Sequence, residues 1–102
     1  MARVPELPSI TELGLPVLAA LSSLGGRATT SEILAEVARA LGLSSEAVAA
    51  SHGGGTRTEF DYRMAWVRTR LTRAGVVRRV ARGVWELTSE AKIRGVNQES
   101  LE

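Results

Sequence analysis

The sequence predicts a mainly α domain with a small β-hairpin, an α+β arrangement in one compact unit. Apolar residues recur at helical spacing in several segments, each opened by a capping residue or proline and closed by a glycine. Two short β-branched runs, Val76 to Val80 and Val84 to Leu87, flank a tip that contains Gly83. The chain has 102 residues, 44% of them apolar, and no cysteine, which suits a single core built without disulfides.

The elements follow in order. Met1 to Ile10 hold Pro5 and Pro8 and show no period, so residues 1–12 read as a flexible lead-in and 13–96 as the folded domain. A helix is expected from near Pro16, a residue suited to a first turn because it lacks an amide hydrogen. Leu15, Leu18, Ala19, Leu21 and Leu24 form its apolar side, and Gly25-Gly26 end it. Arg27-Ala28-Thr29 reads as a connector. Thr29 and Glu32 match a capping box, which opens a second helix through Ile33, Leu34, Val37, Ala38 and Leu41, closed by Gly42. Ser44 caps a short helix running to Ala50. Ser51 to Gly55 form a loop whose three glycines are followed by no Lys-Ser or Lys-Thr, so a phosphate-binding P-loop is excluded. His52, the only histidine, reads as exposed and idle.

Thr58 caps a long helix with Asp61 in its first turn and a buried stripe of Phe60, Met64, Val67, Leu71 and Ala74, ended by Gly75. The hairpin follows, with Ala81-Arg82-Gly83 as its basic tip. Thr88 and Ser89 cap an expected last helix through Ile93 and Val96. Residues 97–102 are a polar tail, and Leu101-Glu102 match an expression-vector scar. Three helices followed by a hairpin are the parts of a winged helix-turn-helix, in which the helix before the hairpin enters the DNA major groove.

Charge points the same way. The net charge is only +2, but Arg57, Arg63, Arg68, Arg70, Arg73, Arg78, Arg79 and Arg82 cluster in one segment opposed by Glu59 and Asp61 alone. The remainder is net acidic. A confined basic stripe is the footprint of a nucleic-acid binder.

On a helical wheel with the apolar stripe inward, Tyr62, Ala65, Thr69, Thr72 and Arg73 point outward, and Arg68 lies on one flank. Arg63, Trp66 and Arg70 share the other flank. Trp66 there reads as a packing residue ahead of a base-stacking one. Arg63 has two readings, a DNA contact or an ion pair with Glu32 or Glu36, and Arg70 is similarly divided. The candidate DNA-binding residues are therefore Arg57, Tyr62, Arg63, Arg68, Thr69, Arg73, Arg79 and Arg82, with double-stranded DNA as the expected partner. Arginines can bind phosphate or guanine edges, Thr69 can donate or accept, and Tyr62 can bond phosphate or stack.

Other classes are less well served. Glu90-Ala91-Lys92 spells the Glu-x-Lys of metal-dependent nucleases, with Asp61 upstream, but both lie at expected helix starts, where acidic residues suit the dipole. One histidine cannot supply a Ser-His-Asp site. No catalytic residue, metal or cofactor is expected. No apolar run reaches the roughly 18 residues of a membrane span, no signal peptide opens the chain, and the absence of cysteine fits a cytoplasmic location.

Phe60-Asp61-Tyr62-Arg63-Met64-Ala65-Trp66, Leu71, Ala74-Gly75-Val76-Val77, Arg82-Gly83-Val84-Trp85 and Leu87-Thr88 together resemble the N-terminal domain of Mrr-type restriction endonucleases. Leu15-Pro16-x-Leu18 and Glu32-Ile33 fit its first half, so the resemblance runs from Leu15 to Glu90. It implies a winged-helix DNA-recognition module, normally joined to a nuclease domain that cuts modified DNA. Arg63 and Trp66 match the family pattern, which does not say whether they bind DNA or hold the fold. These residues carry no nuclease domain, so a nuclease acting in cis or trans is a further expected partner. The alternatives are a small winged-helix transcriptional regulator, which would pair as a dimer, and a winged helix that binds protein. A monomer or weak dimer is expected of the restriction module.

Overall fold

The computed structural model describes residues 7–89. Its elements are α1 (Gly14–Ser23), β1 (Arg27–Thr29), α2 (Thr30–Leu41), α3 (Ser45–Ala49), α4 (Glu59–Arg73), β2 (Val77–Ala81) and β3 (Val84–Leu87). The four helices and a three-stranded antiparallel sheet of order β1-β3-β2 form a winged-helix-like α+β fold. No helix among the described residues is long and apolar enough to cross a membrane.

Local chemistry sets the helix ends. At α2 the Thr29 hydroxyl accepts from the Glu32 amide while the Glu32 carboxylate accepts from the Thr29 amide, the reciprocal box that satisfies two orphan donors. Ser44 and Thr58 accept from Ala47 and Asp61 to cap α3 and α4. Gly42 follows α2 in the left-handed conformation, φ 64°, and the Gly75 amide closes α4 onto Thr72.

The core gathers Leu13, Val17, Leu18 and Leu21 of α1 and its entry, Ile33 and Val37 of α2, and Phe60, Met64, Val67 and Leu71 of α4. Val76, Val77 and Leu87 close it from the sheet. Burying each large side chain of this kind contributes about 1.5–3 kcal/mol.

The structure revises several expectations. Arg27-Ala28-Thr29 is a strand, not a connector, and pairs Arg27 with Glu86, Ala28 with Trp85 and Thr29 with Val84. Leu7 to Glu12 pack onto the body instead of trailing: Leu7 is buried, and Ser9 and Glu12 cap each other. α1 begins at Gly14, which places Pro16 inside its first turn, where the missing amide hydrogen still costs nothing. Ala74 is exposed, so the buried stripe stops at Leu71. β2 starts one residue later than expected and carries a bulge between Arg79 and Ala81. The expected last helix beyond Ser89, the Glu90-Lys92 pair and the polar tail lie outside the described residues.

The wing is fastened to the body. The Thr30 amide, at the start of α2, donates to the Gly83 carbonyl at the hairpin tip (2.9 Å). Trp85 Nε1 donates to Thr30 Oγ1 (3.0 Å). The tip turn needs φ of +70° at Gly83, which a residue without a Cβ adopts freely.

Candidate functional site

Because α4 buries Phe60, Met64, Val67 and Leu71, the helical period leaves Tyr62, Ala65, Trp66, Thr69 and Arg73 along its outer side. With Arg57, these residues line an open groove of about 340 Å³. Among the described residues no carboxylate lines it. The Thr69 hydroxyl is spent on the Ala65 carbonyl (3.1 Å) within the helix. The groove therefore has small residues along its floor, with Tyr62 and Trp66 beside them and arginine at both ends. Trp66 is 43% exposed, so it is a surface residue and not the packing residue its wheel position suggested.

Tyr62 is held by His52, whose ring stacks on it with centroids 3.8 Å apart and planes 12° from parallel. His52 Nδ1 also lies 2.7 Å from Glu59 Oε1, so this histidine is engaged and not idle. The loop brings it there because Ser51 bridges to Thr58 at the foot of α4. Arg57, at that same foot, donates from Nε to Asp61 Oδ2 (3.0 Å), and both side chains remain substantially exposed.

Arg63 pairs with neither Glu32 nor Glu36. Its Nε donates to Glu59 Oε2 (2.6 Å), and Nη1 donates to the Leu7 and Pro8 carbonyls (3.2 and 2.8 Å). These bonds tie the N-terminal segment to α4, a structural use of all the donors they engage. The bonds from His52 and then Arg63 hold the Glu59 carboxyl below its ordinary range. Arg70 Nη1 donates more loosely to Thr11 Oγ1 (3.3 Å). Arg68, expected on an exposed flank, is instead covered to 9% exposure, with its guanidinium over the Trp85 ring. Burial lowers its pKa.

On the sheet, Arg27, Glu86 and Arg78 stand opposite one another across the three strands. Glu86 accepts from both arginines, and those bonds, Arg78's first, lower its pKa. Arg79 lies opposite Trp85, on the sheet face that Val77 and Leu87 bury. Arg73, Arg79 and Arg82 are exposed and have no ion-pair partner among the described residues.

A family comparison matches the Mrr N-terminal domain over residues 11–93. The chain belongs to this family. No curated protein and no solved structure matches it. The matched unit is described as an N-terminal domain.

In this Mrr N-terminal domain the structure brings Arg57, Tyr62, Thr69 and Arg73 together in one groove, with Arg79 and Arg82 on the wing. It separates Arg63, which holds the entry segment, and Arg68, which is recessed behind the helix. Trp66, expected to pack against the core, joins the groove instead. Its signal was available: at four residues from Tyr62 and seven from Arg73, it shares their side of the helix.

Proposed function

We propose that this Mrr N-terminal domain is a duplex-DNA-binding module serving a Mrr-like restriction system. The observation that carries the reading is the groove along α4, lined by Arg57 and Arg73 and, among the described residues, by no carboxylate, in a fold whose wing holds Arg79 and Arg82 without an ion-pair partner among those residues. α4 corresponds to the helix that enters the major groove in winged helices, and a wing cation reaches neighbouring backbone. Arg57, Arg73, Arg79 and Arg82 are the proposed phosphate or base ligands. Tyr62, Trp66 and the methyl groups of Ala65 and Thr69 supply apolar contact.

A protein-binding winged helix would be favoured if carboxylates of the acidic half covered the basic face. Among the described residues, Glu12 and Glu32 cap helices, Glu36 pairs with Arg39, and Glu86 pairs with Arg27 and Arg78. A two-fold dimer in solution would favour the transcriptional regulator, since regulators read paired half-sites, whereas a monomer favours the restriction module. Sedimentation separates these two.

The deciding experiment is a binding titration over a salt series with matched unmodified and methylated duplexes. Log affinity should fall with log salt by about 0.9 for each phosphate contacted. Binding that ignores salt, or none to either duplex, would remove DNA as the partner. Equal binding to both duplexes would leave a general DNA module that does not read methylation.

A further inference from the structure

Arg68 sits where α4, the wing and the start of α2 meet, and among the described residues no carboxylate forms an ion pair with it. It is 9% exposed, and Nη1 is buried with no hydrogen bond among the described residues. Its Cζ lies 5.3 Å from the centre of the Trp85 ring. That ring is fixed in turn by the bond from Nε1 to Thr30 Oγ1. Asp61 is the carboxylate whose field favours the charged guanidinium, but Asp61 already accepts from Arg57, whose own charge opposes Arg68.

An uncompensated buried charge is costly, and an apolar side chain of similar shape would serve packing at least as well. The contact with Trp85 and the field of Asp61 offset part of that cost, but neither gives the buried Nη1 a hydrogen-bond acceptor. A guanidinium carries five N–H donors, so one that contacts an aromatic ring keeps donors for a ligand, and the buried Nη1 is a donor without an acceptor among the described residues. The surroundings suit an anion: Arg79 lies opposite Trp85 on the same side of the sheet, and Arg82 is at the adjoining tip.

We propose that Arg68 is a recessed phosphate ligand, and that Nη1 takes its missing partner from a backbone phosphate lodged between α4 and the wing. The guanidinium reaches it by turning about the outer torsions of its long side chain, over a Trp85 ring that stays fixed. This inference rests on the DNA reading above. It adds a contact that the exposed residues do not provide, one that joins the helix and wing halves of the interface.

Two variants, R68M and R68K, test it by duplex titration over a salt series together with thermal melting. R68M should melt at or above the wild-type temperature, bind about tenfold more weakly, and lose about 0.9 from the salt slope. R68K should keep the slope and lose part of the affinity, because an ammonium lacks the planar fork. Wild-type affinity and slope in R68M would overturn the proposal, as would weaker binding at an unchanged slope, which marks a merely positioning residue. Should R68M fail to fold, the Nε–Hε resonance of Arg68 in the wild-type protein gives a second readout, assigned by its loss in R68K. It should shift and exchange more slowly with solvent when duplex is added; an unmoved resonance at saturation overturns the proposal. Absence of wild-type binding would fail the DNA reading itself, a result visible before any variant is made.

Discussion

Arg63 and Arg73 belong to the same helix but stand in opposite electrostatic situations. Arg63 has a carboxylate and two carbonyls around it, whereas Arg73 faces the open groove without a counter-ion among the described residues. Arg63→Ala should therefore cost about 1.5–3 kcal/mol of stability in chemical denaturation, the range for bonds involving charged groups, while leaving the salt slope of DNA binding unchanged. Arg73→Ala should do the reverse, melting like the wild type and flattening the slope by about 0.9. Glu59 adds a pH dependence. Its folded-state pKa lies below the ordinary 4.5 because His52 and Arg63 bond to the carboxylate. The stability it contributes is complete above 4.5 and is lost as the pH falls through the lowered value. The difference in unfolding free energy between wild type and Glu59→Gln should thus shrink as acid is added below that point. A difference constant with pH would contradict the assignment.

Among the elements, the wing depends most on a single backbone conformation. Gly83 has open space where a Cβ would stand, but its φ is +70°. Gly83→Ala should cost about 1–2 kcal/mol through conformation alone and loosen the Thr30 bonds that hold the tip. Denaturation, with hydrogen exchange at the Thr30 amide, would read both effects. Thr29→Ala should cost about 1 kcal/mol by removing one half of the α2 capping box. The caps were legible in the sequence because each one is local: Thr29 with Glu32, Ser44 with Ala47, and Thr58 with Asp61 lie within one turn. β1 was not legible. Arg27-Ala28-Thr29 is too short to show a period, and its partners Val84 to Glu86 lie far along the chain. The wheel likewise misplaced Arg68, because it treats α4 in isolation and cannot show the Trp85 ring of β3 lying over that flank.

At the scale of the whole molecule, one core serves every element, so unfolding should be cooperative, and Phe60→Ala should remove about 3–5 kcal/mol at once. Heat or denaturant monitored by tryptophan fluorescence and by circular dichroism should give coincident transitions. The basic segment was visible from composition, but its division of labour was not. That division depends on which arginines the folded chain satisfies internally, as Leu7 and Pro8 satisfy Arg63 and Glu86 satisfies Arg78 and Arg27. The His52 stack on Tyr62 was hidden for a similar reason, since loop closure through Ser51 and Thr58 creates it.

The bulge in β2 bears on more than the aim of the wing. With the order β1-β3-β2, β2 is an outer strand among the described residues, and an outer strand offers unpaired backbone groups to any other chain it meets. Here the strand is short, its regular pairing breaks between Arg79 and Ala81, and consecutive arginines occupy its middle. Two copies approaching along this edge would bring arginines together where the regular pairing is interrupted. The wing is thereby protected against edge-to-edge aggregation, and replacing Arg78 and Arg79 with threonine should lower solubility at low salt.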